Sequence, residues 1–563
     1  VTAIQRRNPG DTRVLPATLH PVLRRVYAAR DVGAEQLSLE LTHLLPPDGL
    51  LGINVAASLL ADAIAAGDSI VIAGDYDADG ATGTAVGVLG LRALGASAVH
   101  YVVPDRFVMG YGLSPALAEQ AAATGASVLV TVDNGIASIA GVERARALGL
   151  RVIVTDHHLP GEVLPAAHAI VNPNQPGCPF ASKALAGVGV MFYLLLALRA
   201  ELRRRGAFGD DSGPNLASLL DLVAVGTVAD LVRLDHNNRI LVEQGLRRIR
   251  AGRTRPGVLS LLACAGRDPA RTSAADIGFG LAPRINAAGR LEDMCCGIEC
   301  LLTDDLTQAR ELAMRLDGIN RERRSIQDQM QFDAQELAQD NTATGVCLFH
   351  PEWHEGVVGL VASKLKESLH RPVIAFAQAH NADELKGSGR SIAGLHLRDV
   401  LARIDAERPG LIARFGGHAM AAGLSLRRDQ LEVFAEAFDR VCLEQLAPTD
   451  LQRVILTDGE LADDELNLET ALALEDGGPW GQGFAEPLFE GRFDVELARP
   501  VGSDAAHIKY RLRSPAGVID AIDFNGAERM QSRGRVQVVY ALAVNRFRGA
   551  ETVDLRIAEL RPG

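Results

Sequence analysis

The sequence lacks any apolar stretch long enough to cross a bilayer. Its longest apolar run, residues 188–198, is about half a membrane span and is followed by Arg199, Glu201 and Arg203, so no transmembrane helix and no membrane partner are expected. Residues 1–11 carry Arg6, Arg7 and Pro9 but no apolar core of a leader. A secretory signal is therefore not expected there, and the expected location is cytoplasmic. Cysteine is scarce and odd in number, with seven residues at 178, 264, 295, 296, 300, 347 and 442. That excludes a disulfide framework and suits a reducing compartment. Cys295, Cys296 and Cys300 do cluster, yet no second paired motif or spaced histidine pair accompanies them, so partly buried thiols are expected rather than zinc. An excess of positive charge is missing too. The net charge of −13 excludes a general basic coat for nucleic acid. It leaves room for a local basic groove, because a site built of carboxylates carries negative charge that bound cations cancel.

The 563 residues, 47% hydrophobic and 23% charged, fit a globular protein of about three or four domains. From about residue 50 to 235, short runs rich in Val and Ile (69–73, 98–103, 127–132, 151–155 and 169–171) alternate with helical stretches such as 81–94, 115–124 and 139–148. This alternation predicts a parallel sheet covered on both faces, and such sheets bind ligands beyond the carboxyl ends of their strands. The first of those ends reads Gly74-Asp75-Tyr76-Asp77-Ala78-Asp79-Gly80. If the backbone stays extended through Asp79, all three carboxylates share one side, and Gly80, Thr82 and Gly83 open a helix whose free N–H groups favour phosphate. A solvated acidic turn is the plain alternative. Asp133 follows the third run, and Asp156, His157 and His158 follow the fourth. An Asp at a strand end often only caps the next helix, but five Asp and two His at one edge of one sheet point to metal. Asp230 ends a later apolar segment that begins near Leu219. Hard oxygen donors mixed with imidazole suit Mn2+ or Mg2+. Two ions in such a cluster would hold a phosphoryl oxygen and activate water for in-line attack.

GDYDADG, VDNG, TDHH and GTVAD, in this order and spacing, resemble the DHH phosphoesterase superfamily, whose namesake motif is TDHH at 155–158. PRINAAGR (283–290), WHEGVVG (353–359), GSGRS (387–391) and GGHAMAAG (416–423) are similar to motifs of the RecJ-type single-stranded-DNA-specific exonucleases, so that the resemblance covers about residues 50–445. Arg233 departs from the related motif, which usually reads Pro there. The resemblance implies that Asp75, Asp77, Asp79, Asp133, His157 and Asp230 hold two ions of Mn2+ or Mg2+, with Asp133 as the bridge, and that His158 contacts the scissile phosphate. In the stretch 104–112, Arg106 suits a phosphate and Tyr111 suits stacking on a base; an ordinary loop with Tyr111 half buried fits the residues equally, and the resemblance implies a 5′-end pocket. Arg284, Asn286 and Arg290, in a Gly- and Ala-rich loop, are expected to grip the DNA backbone near the metals. His354, Ser388, Arg390 and His418 lie in Gly-rich turns whose backbone can approach a phosphate. They fall in a segment resembling the DHHA1 domain, which by resemblance clamps substrate over the metals, although His418 alone also reads as a core histidine.

Apolar residues at helical spacing across 305–340 predict one connector helix of about 50 Å. Beyond 448, short alternating strands predict a small OB-like barrel. Lys509, Tyr510, Arg511, Arg513, Arg546, Phe547 and Arg548 give it the cations and rings that single strands favour, with a purely structural barrel as the alternative. The expected fold is α/β: a parallel-sheet DHH catalytic domain (46–304) after an N-terminal arm (1–45), the connector helix (305–340), a second α/β DHHA1 domain (341–447) and the barrel (448–563). Residue chemistry supports metal-assisted phosphodiester hydrolysis. The resemblance adds single-stranded DNA as substrate, 5′ to 3′ polarity, release of 5′-mononucleotides, a place in DNA repair and recombination, and a helicase and a single-strand-binding protein as partners of a monomer. Two alternatives stay open. One is a DHH phosphodiesterase for short oligonucleotides or cyclic dinucleotides, which would not need so long a chain. The other is a non-catalytic DHH-derived scaffold, which would be expected to have lost metal ligands that are intact here.

Overall fold

The structure is a computed structural model that describes residues 2–106, 108–209, 212–379, 381, 383–502, 505–515, 517–546 and 549–563. The Val- and Ile-rich runs become β1 (Ile70–Ala73), β2 (Val99–Val102), β3 (Val128–Val132), β4 (Arg151–Thr155) and β5 (Ala169–Val171). They form one parallel sheet in the order β2-β1-β3-β4-β5. β1 and β3 are buried along their whole length, which is why they read as unbroken apolar runs without alternation. The strand order reverses between β1 and β3, and a doubly wound sheet opens its ligand crevice at that reversal. Asp75 and Asp133 follow the two strands that flank it.

Helix α1 (Ala78–Ala93) returns from β1 and is buried on nearly every side. Its glycines make this possible. A Cβ at Gly83 would collide with Val132 of β3, one at Gly87 would lie 2.6 Å from Ile72 Cδ1 of β1, and one at Gly90 would collide with Leu195. Leu195 belongs to α2 (Gly187–Arg204). Each glycine costs about 1 kcal/mol of helix propensity relative to alanine, and here that cost brings the α1 backbone hard against the sheet. Helix α3 (Leu220–Ala229) is buried through most of its length and ends at Asp230.

The chain divides into two compact units. One holds Arg6–Gly289, Asp293–Asp317 and Leu456–Gly563, and therefore both the catalytic sheet and the C-terminal barrel. The barrel is closed, with β11 (Phe489–Val501), β12 (His507–Ser514), β13 (Gly517–Asp523), β14 (Gly534–Asn545) and β15 (Thr552–Pro562) in the order β11-β12-β13-β15-β14. Ile508, Tyr510 and Leu512 point inward on β12 and are fully buried. Tyr510 therefore does not join the cations on either side of it as a stacking ring, contrary to the sequence-based expectation. Of those cations, Lys509 pairs with Asp520 at 2.9 Å, Arg513 with Glu496, and Arg546 with Glu475 and Glu551. Phe547 and Arg548 lie outside the described residues. Arg233, at the position where the related motif has Pro, packs its stem over Gly483 in the segment leading to the barrel.

The other unit holds residues 2–5, Arg290–Glu292 and Gly318–Ile455. Its sheet has the order β9-β10-β8-β7-β6, built from β6 (Val346–Phe349), β7 (Val373–Gln378), β8 (Glu384–Arg390), β9 (Arg414–Gly417) and β10 (Ala421–Arg427). β6 and β7 are parallel and the others antiparallel. The connector is one 33-residue helix, Leu306–Ala338, and the boundary between the units falls within it, after Asp317. No single helix among the described residues is long and apolar enough to cross a membrane.

Candidate active site

Helix α1 opens earlier than the sequence suggests, and this rearranges the three acids. β1 stops at Ala73, Asp77 is the N-cap of α1, and its Oδ1 accepts a hydrogen bond from Gly80 N at 3.0 Å. The carboxylates are thus not spread along an extended strand. Asp75 lies in the loop, Asp77 caps the helix, and Asp79 sits in its first turn. The Asp79 carboxylate accepts from Gly187 N at 2.6 Å and Val188 N at 2.9 Å, so the start of α2 holds it in place with its helix dipole.

Asp133 has a left-handed backbone, with φ of 63°, a conformation that Asp and Asn tolerate better than most residues. The next side chain fixes it. Asn134 Nδ2 donates to the carbonyls of Ala73, Gly74 and Val132 at 3.2, 3.1 and 2.9 Å, tying the ends of β1 and β3 together. Gly187 makes room on the other side, because a Cβ there would lie 2.5 Å from Asp133 Cβ.

Three sets of donor atoms result, each within 4.8 Å: Asp75, Asp77 and Asp133; Asp79, His157 and Asp230; and Asp133, His157 and His158. His157 Nε2 lies 2.9 Å from Asp133 Oδ1 and 3.5 Å from Asp230 Oδ2. Burial pushes the carboxyls of Asp75, Asp133 and Asp230 well above the usual range, and the neighbouring negative charges push them further. Asp79 is pushed up to about 7 by burial and then by Asp77. Asp75 Oδ1 and Asp230 Oδ2 are buried and accept no hydrogen bond from the described residues. Buried anionic oxygens of this kind are costly unless a cation completes them, and an oxygen-rich set with one or two imidazoles fits hard divalent ions.

Asp156 belongs to the acid cluster by sequence but had no assigned role. It is 1% exposed and accepts from Ile136 N, His157 N and His158 N at 2.8, 2.7 and 3.0 Å, and lies 2.8 Å from His158 Nδ1. Burial opposes ionisation of both partners, yet the His158 contact holds Asp156 below the usual carboxylate range, and Asp156 in turn raises His158. These contacts fix the orientation of the His158 ring. An adjacent aromatic and cationic layer was only partly foreseen. Arg106 stacks over Tyr76 at 4.9 Å, Tyr76 meets Tyr111 edge to face at 6.2 Å, and Tyr111 meets His158 at 5.5 Å. The half-exposed Tyr111 donates its hydroxyl to Asp133 O at 2.8 Å. Tyr76 was missed, although its place between two of the acids was the available signal.

PRINAAGR is helical, within α4 (Ala282–Leu291), rather than a loop. Arg284 is 8% exposed and spends its donors on Asp317, Gly280 O and Cys264 O. It therefore props α4 from inside the protein instead of gripping DNA, which corrects the expectation. Asn286 Oδ1 accepts from Ala78 N at 2.8 Å and so anchors the start of α1. In the second unit, Arg290 donates to Gly356 O at 3.2 Å, and His354 Nδ1 accepts from Gly356 N at 3.1 Å. The first four residues of GSGRS lie on strand β8 and not in a turn, and there Arg390 reaches Ser388 Oγ at 3.1 Å and Ser363 Oγ at 3.0 Å. His418 is exposed at the turn between β9 and β10, which removes the core-histidine alternative.

Residues 69–227 match the DHH family, N-terminal domain, 341–444 the DHHA1 domain, and 457–559 the RecJ OB domain. The chain is 50% identical to the single-stranded-DNA-specific exonuclease RecJ of Escherichia coli K12, over 99% of both chains. It is 52% identical to the protein of that name from Dickeya dadantii, over 100% of this chain and 99% of the relative. The chain belongs to the RecJ family. Among solved structures, RecJ of Thermus thermophilus in complex with Mn2+ superposes with a TM-score of 0.83 at 31% identity, covering 100% of this chain and 80% of that one. The same RecJ in complex with Mg2+ gives 0.78 at 30% identity, over 100% and 79%. The RecJ architecture of parallel-sheet domain, long helix, second α/β domain and OB barrel is thus the architecture described above.

Proposed function

We propose that this RecJ-family chain is a divalent-metal-dependent exonuclease that hydrolyses single-stranded DNA from its 5′ end and releases 5′-mononucleotides. The observation that carries the reading is the intact cluster of Asp75, Asp77, Asp79, Asp133, His157 and Asp230, with donors that converge at the switch point of the sheet. In this reading the six residues would hold two ions, Mn2+ or Mg2+, and Asp133 belongs to two of the three donor sets. Ions so held neutralise charge on the phosphoryl oxygens and ease ionisation of the attacking water. The chain's own groups do the positioning. Asp156 aims His158 at the scissile phosphate, Asn134 and Gly187 hold the Asp133 backbone in its left-handed turn, and Asn286 pins the first amide of α1. Arg106 and Tyr111 in one unit, and Ser388, Arg390, His354, His418 and Arg290 in the other, are assigned to the DNA strand, with Arg106 suited to a phosphate.

The domain limits proposed are 1–45, 46–304, 305–340, 341–447 and 448–563. A cytoplasmic monomer acting in repair and recombination beside a helicase and a single-strand-binding protein completes the proposal. The test is digestion of a long single strand labelled at either end, with Mn2+, with Mg2+ or with EDTA. Early release of the 5′ label as a mononucleotide, abolished by EDTA, is expected. Release from the 3′ end first would overturn the polarity, and activity confined to di- and trinucleotides would overturn the substrate.

A further inference from the structure

Leu231, immediately after Asp230, combines two costs. Its backbone is left-handed, with φ of 59°, at the position after a helix where glycine is the usual occupant. Its side chain is 69% exposed. A single exposed leucine needs no explanation; an exposed leucine held in a strained backbone next to a cluster residue does, since strain of this kind gathers at functional sites. A second exposed apolar side chain lies on an element packed against α3, the helix that ends at Asp230. Residues Ile277–Leu281 form a π-helical turn, a form frequent at functional sites. This turn packs on α3, where a Cβ at Gly278 would lie 3.6 Å from Val228 Cγ1, two residues before Asp230. Ile277 and Leu281 point inward and are fully buried, whereas Phe279 is 77% exposed. The irregular turn thus turns one ring outward while its neighbours stay in the core.

We infer that Phe279 and Leu231 form an apolar platform for the nucleobases of the strand beside the scissile phosphate, with Phe279 stacking on a base and Leu231 packing against the same nucleotide. The proposal rests on the reading of the chain as an exonuclease for single-stranded DNA. The occupant is a nucleotide because Leu231 directly follows Asp230 and the turn bearing Phe279 packs on the helix that ends there, and in the proposed reaction the strand passes this residue. A ring suits this task in an enzyme that cuts any sequence, since every base offers a π-face. In duplex DNA those faces are already stacked, so the platform also favours unpaired strands. Both are positioning residues for the reaction.

The test uses the full chain with Mn2+ and 5′-labelled oligodeoxynucleotides, either intact or with a single abasic position moved stepwise from the 5′ end. Phe279→Ala should raise KM about ten-fold, with kcat nearly unchanged, and Phe279→Trp should restore it. Phe279→Leu, which keeps bulk without a ring, should match the alanine variant and serves if that variant unfolds. One abasic position should cost the wild type a similar factor and cost Phe279→Ala nothing further. Leu231→Gly should raise KM about three-fold while Tm holds or rises, because glycine suits the left-handed backbone. An unchanged KM in these variants, or an abasic profile identical in wild type and Phe279→Ala, overturns the platform. A wild type that fails to digest intact strands overturns the exonuclease reading instead.

Discussion

Two sets of charges in the same unit behave in opposite ways. On the barrel, Lys509, Arg513 and Arg546 each face a carboxylate of the chain itself. At the end of the catalytic sheet, Asp75, Asp79, Asp133 and Asp230 crowd together under cover, and burial with mutual repulsion raises the pKa of each. Charges matched within the chain are part of the fold and contribute little individually at the surface. Charges left unmatched in the interior mark where something from outside completes the structure. Motif reading treats both sets alike, as clusters of functional residue types, and only the partners separate them.

The sharpest test of this contrast is Asp133→Asn, which keeps a residue tolerant of the left-handed backbone and should lower turnover of single-stranded DNA by roughly 10³-fold or more while metal-free Tm holds or rises, since one repelling charge is gone. A variant that lost Tm but kept turnover would reverse the assignment. Asp156→Asn should lower kcat by about 10- to 100-fold through misdirected His158, with circular dichroism unchanged. pH provides a third test. The raised carboxyls mean that the metal-free native chain binds more protons than the unfolded one, so stability falls as pH rises from about 4 through about 7. Cations displace those protons, and Mn2+ should therefore raise Tm by more degrees at pH 8 than at pH 5. Equal increments would show that the acids are already ionised in the metal-free chain. The smallest effects belong to the barrel. Arg511 is exposed on β12 with no ion pair among the described residues, so Arg511→Ala should reduce the salt dependence of DNA binding by about one ion. Arg513→Ala, already paired with Glu496, should leave it nearly unchanged.

The parallel sheet and its acidic edge were legible because strand ends can be read from short Val- and Ile-rich runs, and the fold class fixes which edge binds. The start of α1 was misjudged because Asp77 serves as both cap and cluster residue, and alternation along a strand says nothing about a cap. PRINAAGR read as a loop because its small residues hide a helix whose job is close packing: a Cβ on Gly289 would collide with Tyr76 O. The burial of Arg284 could not be read without knowing that Asp317 lies beside it. Tyr510 is a different case, since the period of two along residues 508–513 already placed it opposite Lys509, Arg511 and Arg513; grouping by residue type overrode a pattern that was there.

The close fit between Gly187 and Asp133 has a genetic consequence. Position 187 contributes only a backbone N–H, which alanine would keep, yet any side chain there would displace the carboxylate assigned to bridge the ions, so a missense change to alanine should behave as a null allele. Sequence surveys that score only acids and histidines would record such an allele as catalytically intact. An engineer seeking variants of altered metal preference would find this glycine as immovable as the acids.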